Sequence, residues 1–266
     1  MIQRETMIFS IGRGRTVLAA LAFLLVPVFA RGASQEVFEQ NVPAAGIRTV
    51  YVGNVNGDVV VSAGPGDSVQ IHAEKSARGG RADEWLKKLE IKVKTEGGRL
   101  SIETIHPKRK KLLGLFEVEN SSCCTVRYAI RVPADRGVEV ETVNGSIDIS
   151  SLGASIRAET VNGSIALSGV RGQVDASTVN GSVAVTRVGG NAPVRLETVN
   201  GNVEIALERS AGFSYELETV NGRIESDFPL SVEGKFGPKS ARGTVGSGET
   251  QLAAESVNGS IRLRGK

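Results

Sequence analysis

The chain has 266 residues, enough for one long domain or two of ordinary size, and its 40% apolar content supports a real core and excludes wholesale disorder. Aromatic residues are only 5% while glycine reaches 32 residues, so Val, Ile, Leu and Ala with frequent glycine turns must build that core. A net charge of +3 excludes a nucleic-acid protein by composition, and two Cys with two His leave little material for zinc chemistry or a His-based triad.

Residues 1–30 read as an address. Arg4, Arg13 and Arg15 precede a fourteen-residue apolar run, Val17 to Ala30, which is short for a membrane span of roughly 20 residues. Val28 and Ala30 supply small residues at the −3 and −1 positions, so a signal peptide cleaved after Ala30 is predicted, with retention as an anchor the alternative. The mature chain is therefore expected to be exported: periplasmic, surface-held or secreted. Residues 31–46 read as a linker and 47–266 as one domain.

The tripeptide Val-Asn-Gly first occurs at Asn56-Gly57, and residues 66–137 then interrupt the pattern. Within them, residues 81–89 have roughly helical spacing of Trp85, Leu86 and Leu89, and strand-like runs follow at Leu89–Thr95, Arg99–Ile105 and Thr125–Val132. This insert holds 15 Lys and Arg against 10 Asp and Glu, a net of +5, whereas residues 138–266 hold 12 against 15, a net of −3. The excess is concentrated at Lys108, Arg109, Lys110 and Lys111. Such a run is usually a solvated loop. The functional reading is contact with a phosphate-rich envelope partner, either anionic lipid or lipopolysaccharide. Nucleic acid is not expected of an exported chain without aromatic interleaving.

From residue 138 the repeat dominates. The Asn-Gly pairs Asn144-Gly145, Asn162-Gly163, Asn180-Gly181, Asn200-Gly201, Asn221-Gly222 and Asn258-Gly259 are spaced 18, 18, 20, 21 and 37 residues apart, as if one coil between Asp227 and Glu249 had lost its signature. Apolar residues stand six and four places before each Asn and three and five after it, with Ser226 the exception. That alternation predicts two half-buried strands per repeat, joined at a turn that Asn and Gly suit through their tolerance of positive φ.

Two architectures fit: an antiparallel hairpin meander, or a parallel β-solenoid with Asn-Gly at the same corner of every coil. Five residues before Asn the sequence reads Glu139, Arg157, Asp175, Arg195 and Glu216. Alternating signs have a purpose only where these positions stack about 4.8 Å apart. The solenoid is the expected fold: all-β, with 18–21-residue coils and a small α+β insert near its N-terminal side.

This order of features, Asn-Val-Asn-Gly-Asp-Val at 54–59, then a helix-and-strand insert, then Thr-Val-Asn-Gly repeats, resembles a bacterial domain-of-unknown-function family labelled as adhesins with β-strand repeats. The resemblance spans roughly residues 47–266. It implies a solenoid-like fold in an exported protein and supplies no catalytic residue.

Candidate chemistry is sparse. Glu141, Glu159, Glu197, Glu218 and Glu255, three places before Asn, would form an outward carboxylate column, read here as a solvated face partly neutralised by Arg157 and Arg195. Paired acids could also hydrolyse a glycoside. A polysaccharide-active β-helix enzyme is therefore the alternative, with Phe213, Tyr215, Phe228 and Phe236 marking where to look. Asn144, Asn162, Asn180 and Asn258 match the glycosylation pattern but are read as turns. Cys123 and Cys124 are read as structural or free thiols, with a vicinal bond the alternative, and His72 and His106 as ordinary residues. The expected function is a non-enzymatic adhesin, envelope-binding or scaffold module without catalytic residue, cofactor or metal. Its expected partners are an envelope glycan, lipopolysaccharide, anionic lipid or another protein.

Overall fold

The computed structural model describes residues 33–111, 116–119, 123–187, 189–234 and 237–266. The expected signal segment and Phe236 lie outside them. Chain order begins with β1 (Ala33–Pro43), β2 (Thr49–Gly53), β3 (Val59–Ala63), β4 (Ser68–Arg78), helix α1 (Ala82–Lys88), β5 (Glu90–Glu96) and β6 (Arg99–Ile105). A small hairpin, β7 (Lys108–Lys111) and β8 (Phe116–Glu119), precedes β9 (Cys124–Val132). Helix α1 forms where Trp85 and Leu86 share a buried face, with Asp83 and Glu84 in its first turn and Lys87 and Lys88 in its last, as the peptide dipole favours.

The repeats supply β10 (Gly137–Asn144), β11 (Ile147–Ser150), β12 (Ile156–Asn162), β13 (Ile165–Val170), β14 (Val174–Asn180), β15 (Val183–Arg187), β16 (Val194–Asn200) and β17 (Val203–Leu207). The last strands are β18 (Phe213–Thr219), β19 (Ile224–Ser226), β20 (Val232–Glu233), β21 (Lys239–Val245), β22 (Thr250–Asn258) and β23 (Ile261–Gly265). Each coil gives its strand before Asn-Gly to one sheet and its strand after to the other, in parallel and in register: Val138 opposite Ile156 opposite Val174 opposite Val194, and Ile147 opposite Ile165 opposite Val183 opposite Val203. The fold is the expected solenoid, not a meander. Inward residues of both sheets, among them Val140, Ala158, Ala176, Leu196, Ile149, Leu167, Val185 and Ile205, are buried in one continuous core.

The interruption is a cap rather than an appendage. β6 pairs in parallel with β2 and β9 with β3, adding a layer to both sheets. β5 and β4 then turn antiparallel and close that end. Residues expected to be a linker instead form β1, which pairs with β4 over its full length from Ala33–Arg78 to Pro43–Ser68. The sequence signal was present in Phe38 and Val42, which pack against the core, but Glu and Gln between them masked it.

The far end departs from chain order. β22 lies between β16 and β18, and β23 between β17 and β19. The corners therefore stack as Asn56, Asn144, Asn162, Asn180, Asn200, Asn258, Asn221. No coil is missing between Asp227 and Glu249: β20 and β21 pair antiparallel and cover β18. The physical reason lies in side-chain size. The coil of Phe213, Tyr215 and Phe228 fills the open end with an edge-on aromatic cluster, Phe213 and Phe228 centroids 5.1 Å apart, while Leu252 and Ala254 fit the regular interior.

Candidate functional site

The Val-Asn-Gly corner is a rail of hydrogen bonds. Each Asn donates from Nδ2 to the Oδ1 of its neighbour: Asn144 to Asn56, Asn162 to Asn144, Asn180 to Asn162, Asn200 to Asn180, Asn258 to Asn200 and Asn221 to Asn258, all at 2.8–2.9 Å. The hydroxyls of Thr160, Thr178, Thr198, Ser256 and Thr219 donate to the carbonyls of Gly145, Gly163, Gly181, Gly201 and Gly259 at 2.8–3.0 Å. Glycine is needed here for close approach. A Cβ on Gly163 would lie 2.0 Å from the Gly145 carbonyl oxygen, and the same clash recurs at Gly145, Gly181, Gly201, Gly222 and Gly259. Positive φ, the reason expected from sequence, holds at Gly57 alone among the seven (φ 116°). There the pattern also changes: the Gly57 carbonyl accepts from Asn54, and the Thr142 hydroxyl has no partner in the structure.

Beside the rail, the outer face of the sheet holding β10 to β16 carries two columns. Val143, Val161, Val179, Val199, Val257 and Val220 stand in line, each 38–44% exposed, so the apolar member of every repeat faces solvent. Next to them run Glu141, Glu159, Ser177, Glu197, Glu255 and Glu218 in register. A groove follows both columns over the last four coils, walled by Pro238, Lys239 and Ser240.

The charged column behaves as expected over its first coils. Arg157 lies between Glu139 and Asp175 in register; it pairs with Glu159 and lies 3.7 Å from Asp175. Arg195 pairs with Glu197 at 2.5 Å. Arg195 is not followed by Glu216, because Ala253 of the intercalated β22 stands between them. Glu216 instead pairs with Arg242 of β21, and Glu139 with Arg99 at 2.7 Å. The nearby carboxylates push all three arginines, Arg157, Arg195 and Arg242, further above their usual range. Tyr51 donates to Glu141 at 3.0 Å, and its phenol is pushed up to about 12 by burial and then by that carboxylate.

The basic run Lys108–Lys111 does not form a loop. It is a strand of a two-stranded hairpin outside both main sheets, with Lys108 opposite Glu119 and Lys110 opposite Glu117. Cys123 and Cys124 are thiols not joined in a disulfide, and burial, then the hydrogen bond with Cys123, pushes Cys124 up to about 12. His72 is half-buried beside Glu39 at 3.1 Å, and His106 is buried. Phe213, Tyr215 and Phe228 are buried in the end cluster and form no exposed platform for a sugar. Sequence reasoning missed two buried polar devices. Arg187 donates to five backbone carbonyls, those of Arg171, Gly172, Gly189, Gly190 and Ala192, and Thr104 links Asn54 to Tyr128 at 3.0 and 2.7 Å. Neither follows a repeat, so no spacing announces them.

Among the described residues no group of three His, Cys, Asp or Glu is placed to hold a metal ion, and no helix is long and apolar enough to cross a membrane. The family model described as Toastrack DUF4097 matches residues 39–264. No curated protein matches the chain. Similar solved structures include a candidate cell-adhesion protein from Clostridium sporogenes, 16% identical, with 88% of this chain and 100% of that one covered at a TM-score of 0.49. A candidate adhesin from Bacteroides fragilis is 13% identical, covering 86% and 98% at 0.42. A candidate lipid-binding protein from Parabacteroides distasonis is 11% identical, covering 87% and 95% at 0.25.

Proposed function

We propose a binding role for this chain, which belongs to the Toastrack DUF4097 family: an exported, non-enzymatic solenoid that serves the cell envelope as an adhesion or scaffold module. One observation carries the reading, the stack of seven coils in register. Stacked coils make a rigid surface whose chemistry repeats about every 4.8 Å, which suits recognition of an extended partner by shape. The charge distribution supports an anionic partner at the opposite end from the acidic repeats. Lys108, Arg109, Lys110 and Lys111 lie in sequence on one strand of a hairpin that joins neither main sheet, and four basic residues in a row suit lipid head groups or lipopolysaccharide phosphates. Flotation with vesicles of anionic and of zwitterionic lipid, and with lipopolysaccharide, tests this. The protein is expected to bind the anionic surfaces, and replacing all four residues with Gln is expected to weaken binding at least about tenfold and flatten its salt dependence. Equal binding by the variant would assign the run to the solvated surface.

A further inference from the structure

The coil of residues 250–265 occupies a slot. β22 has Val194 opposite Leu252 on one side and Tyr215 opposite it on the other, parallel to both neighbours. β23 is held in the same way between β17 and β19. The chain reaches this slot by stepping over β18, because β21 lies on the far side of it. Residues 246–249, Gly-Ser-Gly-Glu, make the crossing, with Gly246 at φ 61° and Gly248 at φ 71°. They pass so near the start of β18 that a Cβ on Gly212 would lie 2.1 Å from the Ser247 hydroxyl.

We propose that this slot is also an interaction site between copies of the chain, filled by residues 250–265 of a second molecule. Everything that recognises the coil lies within the coil. Asn258 continues the amide ladder to Asn200 at 2.8 Å and to Asn221 at 2.9 Å, Ser256 donates to the Gly201 carbonyl at 3.0 Å, and Leu252, Ala254, Ile261 and Leu263 are buried. None of these contacts depends on which chain carries the coil. Only the four-residue crossing does, and its glycines allow the backbone to leave in another direction. Undocking exposes two facing edges in each sheet, with unpaired N–H and C=O groups that a strand of this register satisfies. Docking within one chain is favoured by an effective concentration of order millimolar for so short a link. Exchange therefore needs a released coil and a high protein concentration, as when chains refold or are crowded at a surface. This assembly is independent of the envelope-binding reading.

The test uses the full chain. Tagged and untagged molecules carrying Arg195→Cys and Ala253→Cys, neighbours across β16 and β22, are unfolded together and refolded at dilute and at near-millimolar concentration. The expected result is intrachain 195–253 bonds in the dilute sample. In the concentrated sample a dimer is expected with interchain 195–253 bonds, mapped by peptide mass, in which capture of the tag retains untagged chain. Deleting Ser247 and Gly248 shortens the crossing and is expected to raise the dimer fraction about tenfold or more. Dimers whose 195–253 bonds stay intrachain would overturn the proposal, as would monomers at every concentration with native circular dichroism. If the shortened chain fails to fold, the double-cysteine pair refolded with the natural crossing decides alone.

Discussion

Each position of Thr-Val-Asn-Gly does a different job, and the stack explains why the four travel together. The Thr hydroxyl ties one coil to the next glycine carbonyl, the Asn amide runs along the corner, and glycine lets successive corners meet. Gly163→Ala places a methyl 2.0 Å from the Gly145 oxygen, and backbone cannot yield as a flexible side chain would. It is expected to cost about 3 kcal/mol or more in denaturant melts. Gly66→Ala, which meets nothing within 4 Å, is expected to change stability by at most a few tenths of a kcal/mol. Asn162→Ala removes two ladder bonds, one given to Asn144 and one taken from Asn180. Its expected cost is about 1–2 kcal/mol, since both partners regain water. A cost for Asn162→Ala as small as that of Gly66→Ala would reduce the ladder to a geometric accident.

At the scale of the strand, in-register pairing turns single substitutions into column effects. Replacing Arg157 with Glu removes attractions to Glu159 and Asp175 and sets like charges beside Glu139 and Asp175 in the neighbouring strands. Exposed pairs are worth about 0.2–1 kcal/mol each, so a loss on the order of 1–2 kcal/mol is expected at low salt. Because these side chains face solvent, the loss should shrink in high salt. Arg78→Glu, at the end of β4 outside the column, serves as the reference; equal losses in the two variants would contradict column stacking. β22 shows the same logic by exception. Its Ala253 breaks the charged column between Arg195 and Glu216, and the deficit is met from outside by Arg242 on the capping strand.

Across the molecule, two different caps close one core. The only tryptophan, Trp85, sits in α1 at the insert end, while Phe213, fully buried, anchors the aromatic cluster at the other. Sheets that run unbroken from cap to cap should unfold as one unit, although stacked repeats can uncouple. Phe213→Ala is expected to cost about 3–5 kcal/mol and to lower the midpoint by the same amount whether Trp85 fluorescence or far-ultraviolet circular dichroism is followed. Separate midpoints, with the Trp85 transition unmoved, would show that the two ends melt independently.

Sequence periodicity alone determined the coil, its two strands, the corner and the solenoid, because a side chain's face depends only on its parity along a strand and identical corners announce themselves by spacing. The alternating charges of Glu139, Arg157, Asp175 and Arg195 were legible for the same reason. Tertiary structure decided what periodicity does not encode. The role of Asn and Gly as ladder and close contact arises between coils, so a turn propensity read along one chain assigned them a local cause. The strand at 33–43 exists because β4 offers it an edge, and the polar caging of Arg187 comes from a loop without repeat. The order of the last two coils depends on where bulky aromatics can be accommodated. That is a matter of the volume left at the end of the stack, which chain order does not carry.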